Sequence, residues 1–229
     1  MSVYAISDLH MSSAVNKPMD IFKGWDNHIN RIVQSWLQTV CDDDIVLLGG
    51  DLSWAIDLQN AMPDINFLAD LPGHKVLIRG NHDYWWKSIT TLRQSLPSKM
   101  YALQNDSVMI GNYLICGTRG WTVPERHQGA HDKKIYNREV ERLKLSLQNM
   151  QSKRQVGQFV IAMAHYPPFN SLIKATPFTD LYNQYGVSKV IYGHLHGKAI
   201  TTPAIVTINN TQFYLTSCDT VGHKVVLVD

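Results

Sequence analysis

Two short patterns, Asp8-Leu9-His10 and His194-Leu195-His196, set metal-binding side chains two residues apart. Three further groups of the same chemical character lie between them: Gly49-Gly50-Asp51, Gly80-Asn81-His82-Asp83, and His165 ahead of Tyr166-Pro167-Pro168. The donors are imidazole, carboxylate and amide oxygen, without thiolate. Such a set suits Mn, Fe, Zn or Ni better than copper(I) or an iron–sulfur cluster. In extended backbone, residues i and i+2 point the same way, so each pair is expected to reach one ion or two adjacent ions. Glycines before Asp51, Asn81 and His194 are expected to permit sharp turns and a close approach of backbone to the ions.

Each group follows a short apolar run that reads as a strand: Val3–Ile6, Ile45–Leu48, 75–78, Phe159–Ala164 and Lys189–Tyr192. In open α/β sheets, ligands bind beyond the carboxyl ends of the strands, so five such ends can converge on one site. Between the runs, Ile29, Ile32, Val33, Trp36, Leu37 and Val40 recur at helical spacing. The stretch 57–71 also reads as helix, but Pro63 predicts a kink or two short helices. A short helix is expected over 88–96, and a hairpin joins 108–110 to 113–116 across Gly111-Asn112. Tyr136, Val140, Leu143, Leu147 and Met150 form a helical stripe within 131–154, and two further strands are expected at 212–216 and 224–228. Alternation of strand and helix in the first half predicts parallel pairing, and the strand-rich last quarter predicts hairpins. Mixed sheets in an α/β fold follow.

The chain has 229 residues, a length that fits a single domain over 1–229 and can bury a core without disulfides. With 21 basic and 19 acidic side chains, the net charge is +2, too little to indicate a nucleic-acid or membrane partner. The three cysteines, Cys41, Cys116 and Cys218, are scattered, as expected of free thiols in a reducing compartment. The first residues lack the charged and apolar regions of a signal peptide, and no apolar run approaches membrane-spanning length. A cytoplasmic protein is expected.

The order D-x-H, G-D, G-N-H-D, a lone His and G-H-x-H, spanning residues 8 to 196, resembles the calcineurin-like metallophosphoesterases. That resemblance implies a four-layer αββα sandwich of two mixed β-sheets flanked by helices. It implies two divalent or trivalent transition-metal ions, one held by Asp8, His10 and His196, the other by Asn81, His165 and His194, with Asp51 bridging. It implies hydrolysis of a phosphomonoester or phosphodiester by in-line attack of a metal-bridging hydroxide, with His82 as general acid. Asp83 is expected to hydrogen-bond His82 and keep it protonated. The chain departs from the protein Ser/Thr phosphatases, whose G-D-x-x-D-R-G and G-N-H-E patterns are replaced here by Gly50-Asp51-Leu52-Ser53-Trp54 and a run ending in Asp83. It looks instead like a bacterial group of predicted phosphohydrolases.

Other residues have competing readings. Tyr84, Trp85 and Trp86 can pack the next helix or wall the leaving group, and Trp54 can do the same. Arg119 can present a guanidinium to phosphate or lie on the surface, and Arg79 is equally open. His28, His74 and His223 are assigned structural or surface roles, His127 and His131 a surface loop with a substrate role as the alternative, and Asp42-Asp43-Asp44 a solvated turn. The partner expected is a small phosphorylated metabolite or nucleotide. A nuclease on the same site would need a positive groove. A catalytically inactive protein-binding scaffold should have lost ligands, and none is missing.

Overall fold

Along β2 (Ile45–Leu48) the side chains alternate between two cores: Ile45 and Leu47 face one, Val46 and Leu48 the other, and all four are fully buried. A strand apolar on both faces needs cover on both sides. The computed structural model supplies it, describing residues 1–125, 129–197 and 200–229. One sheet has the order β11-β1-β2-β3-β4, with β1 (Val3–Ile6), β3 (His74–Leu77), β4 (Met100–Ala102) and β11 (Val226–Leu227). Its members run parallel except β11, which pairs antiparallel with β1. The other has the order β5-β6-β7-β8-β10-β9, with β5 (Ser107–Ile110), β6 (Tyr113–Thr118), β7 (Phe159–Ala164), β8 (Lys189–Tyr192), β9 (Ile205–Ile208) and β10 (Thr211–Leu215). Here β6, β7, β8 and β10 are parallel, while β5 and β9 are antiparallel edges.

The sheets meet through Val3, Ala5, Leu47 and Val76 on one side and Ile115, Ile161, Met163 and Ile191 on the other. Outside the first sheet, α1 (His28–Thr39), α2 (Leu58–Ala69) and α3 (Ile89–Ser95) bury Ile32, Trp36, Ile65 and Leu92. Outside the second, α4 (Ala130–Lys153) and α5 (Pro177–Gln184) bury Leu143, Leu147, Phe178 and Tyr182. Two mixed sheets flanked by five helices are thus described, an α/β fold of the expected class.

Several sequence expectations change. Pro63 lies inside one uninterrupted α2. It forfeits only the bond to the carbonyl of Gln59, an exposed first-turn residue, so water can satisfy that group. His131 belongs to the first turn of α4 rather than to a loop, and His127 falls outside the described residues. Asp42 and Asp43 are exposed, but Asp44 is buried and accepts from the backbone N–H groups of Ser2 and Cys41. It ties the turn to the N-terminal strand instead of merely facing water. In the last quarter β9 and β10 form a hairpin, whereas β10 also runs parallel to β8 and β11 crosses to the other sheet.

Candidate functional site

Asp8 follows β1, Asp51 follows β2, and Asn81 and His82 follow β3; from the facing sheet, His165 follows β7, and His194 and His196 follow β8. All are carboxyl ends of parallel strands, so the two sheets bring these side chains to one edge of the sandwich. The ligand atoms of Asp8, His10 and His196 lie within 4.8 Å of one another, as do those of Asp8, Asp51 and His165. His196 Nε2 is 3.1 Å from Asp8 Oδ1 and 3.4 Å from His10 Nε2. Asn81 Oδ1 lies 2.6 Å from His165 Nε2 and 2.8 Å from His194 Nδ1, and His165 Nε2 is 3.5 Å from Asp51 Oδ2. The seven expected ligands thus form one contiguous group.

The backbone reaches this arrangement differently from the extended i, i+2 geometry expected. Asp8, His10, Asp51 and His194 have φ of 60°, 48°, 53° and 69°, in the left-handed region. Each such residue costs on the order of 1–2 kcal/mol, and residues held this way cluster at functional sites. The loops curl over the strand ends and aim these side chains at each other. Gly80 and Gly193 are required by close approach: a Cβ on Gly80 would overlap Asp51 Oδ1, and one on Gly193 would overlap Asp8 Oδ2.

The chemistry of these residues fits divalent ions. Burial drives His10 down to about 3 and His165 down to about 4, so both imidazoles are neutral and offer lone pairs. Burial, with Asp83 and Asp8 nearby, pushes the Asp51 carboxyl far above its usual range. A buried cluster of carboxylates and neutral imidazoles calls for positive charge, and bound cations would supply it. Burial opposes protonation of His196, yet hydrogen bonding to Asp219 and Asp8 outweighs it and raises the ring to about 10. A cation shared with Asp8 would take the place of that proton.

Asp219 is a contributor that sequence reasoning missed. Its Oδ1 lies 3.2 Å from His196 Nδ1, and its Oδ2 accepts from Gly197 N–H at 2.8 Å. A carboxylate on the far ring nitrogen fixes the tautomer that leaves Nε2 free to face a cation. The only trace in sequence is an acidic residue a few positions past β10, too common a feature to single out. Replacing it, Asp219→Asn, is expected to weaken metal binding about 10–100-fold, measured by titrating Mn into metal-stripped protein.

Asp83 overturns its expected role. Its carboxylate makes no hydrogen bond to the His82 ring; it accepts from the backbone N–H groups of Gly80 at 2.7 Å, Asp51 at 2.8 Å and Leu52 at 2.9 Å, and from Trp85 Nε1 at 3.0 Å. His82 Nδ1 has no hydrogen-bond partner among the described residues. Asp83 is a fully buried clasp between the loops after β2 and β3, and so a positioning residue. Removing it strands five buried donors, the Ser53 backbone N–H at 3.4 Å among them. Asp83→Ala is therefore expected to cost at least ~3 kcal/mol of stability, read from the melting of metal-free protein.

His82 is half-buried, and its backbone N–H donates to Asp51 Oδ1 at 2.7 Å. Its ring is surrounded by aromatics, with centroids at 4.6 Å from Trp54, 5.8 Å from His10 and 6.2 Å from Tyr84. Burial and the charge of His196 lower its pKa. Trp54 also stacks on His10 at 4.6 Å and lines a cavity of about 830 Å³ together with His10, Trp25 and His196. Tyr84 is exposed beside His82, whereas Trp85 and Trp86 are buried in the core against α2 and α3, which settles them as packing residues.

The remaining candidates separate clearly. Arg119 faces the buried Glu139 at 3.7 Å, and its carbonyl accepts from the N–H groups of His165 and Tyr166. His28 bridges the carbonyls of Leu9 and Trp25, and His223 binds the Gly24 carbonyl, so both brace the loops around the centre. His74 pairs with the Tyr101 hydroxyl at the opposite end of β3.

Similarity to known proteins bears on this geometry. No curated protein is significantly similar to the chain. A Thermus thermophilus protein, TT1561, superposes with a TM-score of 0.63 at 13% identity, covering 99% of this chain and 97% of that one. The phosphopantetheinyl hydrolase PptH of Mycobacterium tuberculosis gives 0.58 at 14% identity, covering 99% and 95%. The purple acid phosphatase PPD1 of yellow lupin gives 0.50 at 15% identity, covering 99% of this chain and 44% of its own length. At these identities the likenesses establish the fold. The model of the calcineurin-like phosphoesterase family matches residues 1–198. The chain belongs to that family, and it is a metal-dependent phosphoesterase.

Proposed function

We propose that the chain, acting as one domain over residues 1–229, hydrolyses the phosphoester of a small phosphorylated metabolite or nucleotide. The observation that carries this reading is the contiguity of seven candidate ligands with His82 at their edge, packed against Trp54, which lines an open cavity. In this reading Asp8, His10 and His196 would hold one ion and Asn81, His165 and His194 a second, with the Asp51 carboxylate able to contribute to both. When bound, the ions activate water and neutralise charge on the phosphoryl oxygens.

The residues then divide the remaining work. Asp51 fixes the acid as well as the ions, because its Oδ1 accepts the His82 backbone N–H. The His82 imidazole gives its proton to the departing ester oxygen. Its lowered pKa leaves it neutral in the free protein, and a phosphate anion arriving beside it favours the protonated form. Trp54 and Tyr84 flank His82 and form the wall against which the leaving group rests. The cavity of about 830 Å³ beside Trp54 favours an organic leaving group of substantial size. The three cysteines are free and two are buried, which supports a reducing, cytoplasmic setting. Among the described residues no helix is long and apolar enough to cross a membrane.

The test is hydrolysis of p-nitrophenyl phosphate and bis-p-nitrophenyl phosphate by metal-stripped protein, with Mn, Fe, Ni, Zn or Mg restored in turn. Metal-dependent release of nitrophenol supports the reading and ranks the two ester classes. Failure with every metal, at two ions bound per chain, returns the scaffold reading.

A further inference from the structure

One strand further along both sheets lies a second polar feature. The candidate ligands occupy the ends of β1, β2 and β3 in one sheet and β7 and β8 in the other. The next strands outward are β4 and β6, about 5 Å away. Their ends, at Leu103–Asn105 and Thr118–Arg119, border a cleft of about 300 Å³ that α4 closes from outside. Five cationic side chains line it: Arg79, Lys87, Arg119, Arg138 and Arg142. Among the described residues the only carboxylate lining it is Glu139, which is fully buried.

Glu139 is already committed. It pairs with Arg142 at 2.6 Å and Arg119 at 3.7 Å, and accepts from the Thr118 hydroxyl at 3.0 Å. Arg79, Arg138 and Lys87 have no acidic partner among the described residues. The Nε atoms of Arg79 and Arg119 are buried without a hydrogen-bond partner among the described residues. Unpartnered guanidinium donors beneath a concave, cationic wall are the arrangement that takes a tetrahedral oxyanion. Two links tie the cleft to the metal centre: Arg79 lies two residues before Asn81, and the Arg119 carbonyl holds the N–H of His165.

We propose that this cleft binds a phosphate-class anion, and that its source is a second phosphoryl group on the substrate whose ester is cleaved at the neighbouring centre. The assignment of the substrate rests on the phosphoesterase reading above; the anion site itself does not. The substrate class that follows is a bisphosphorylated small molecule or nucleotide.

The test begins with inorganic phosphate titrated calorimetrically into metal-stripped protein in chelator. Without ions the catalytic centre lacks the cations that would hold phosphate, so binding that weakens with Arg79→Gln and Arg138→Gln reports the cleft. One site is expected, weakened at least tenfold by Arg79→Gln and several-fold by Arg138→Gln, which changes only an exposed position on α4. Absence of phosphate binding, or binding indifferent to both substitutions, overturns the proposal; indifference would mean an adventitious ion only. The second arm, with metal restored, compares a nucleoside 3′,5′-bisphosphate with the matching 5′-monophosphate. A KM at least tenfold lower for the bisphosphate, narrowed by Arg138→Gln, supports the substrate as the source. Equal KM values overturn that assignment and leave a free anion as the occupant. No turnover of either compound would strike the phosphoesterase reading, while the metal-free titration still decides the cleft.

Discussion

Asp51→Asn is expected to lower turnover by on the order of 10³-fold while leaving the fold intact. The substitution keeps the side chain's shape and an oxygen for the His82 N–H, so the loop geometry should survive. What is lost is a negative charge placed between the two sets of ligands, 3.5 Å from His165 Nε2. In the metal-free protein that charge is disfavoured by burial and by Asp83 and Asp8, so Asp51→Asn should melt no lower, and even somewhat higher, than the parent without metal. With metal the order reverses, because the parent alone gains the full stabilisation of bound ions. Melting curves with and without Mn, beside steady-state rates, check both halves. A variant that loses activity and stability equally in both conditions would point to a structural role for Asp51.

His82→Ala is expected to lower kcat by about 10²–10⁴-fold with both ions retained. The ring contributes no atom to the ligand groups, and its nearest ring neighbour, Trp54, stays anchored by stacking on His10. The backbone N–H that binds Asp51 is unaffected by truncation of the side chain. A leaving-group test separates acid catalysis from positioning. The variant should recover most of the lost rate on p-nitrophenyl esters, whose leaving group needs little protonation, and little on alkyl phosphates. A uniform loss across leaving groups would assign His82 to binding instead.

The proposed metal-binding edge is legible in sequence because its candidate ligands come as short patterns immediately after apolar runs, and strand ends converge by topology alone. The way they converge is not legible. A left-handed φ at Asp8, His10, Asp51 and His194 is a property of the folded loops, invisible in residue type for carboxylate and imidazole residues. Asp83 misleads for a related reason: adjacency to His82 in the chain suggests a contact, whereas the turn points the two side chains apart and gives Asp83 to the backbone of another loop. Asp219 and the arginine cleft escape a sequence reading because their partners lie far off in the chain and carry no spacing of their own.

Burial on both faces distinguishes the elements that sequence reveals from those it hides. Strands buried on both faces, such as β2 and β7, announce themselves as continuous apolar runs. β4 has three residues and β9 is a half-exposed edge within a Thr- and Asn-rich stretch, so neither shows a clear pattern. α5 opens with a capping box built from Thr176 and Thr179 around Pro177, where the usual Glu or Gln signal is replaced by threonine. Asn209 takes φ of 55° in the two-residue turn that joins β9 to β10, a hairpin signal that sits inside a stretch otherwise polar and featureless.

The most direct test of the dinuclear centre is a crystal structure of the protein loaded with Mn, with the ions located by anomalous scattering. Two ions per chain are expected, one against Asp8, His10 and His196 and one against Asn81, His165 and His194, with Asp51 touching both. A single ion, or two ions held by other residues, would contradict the dinuclear assignment.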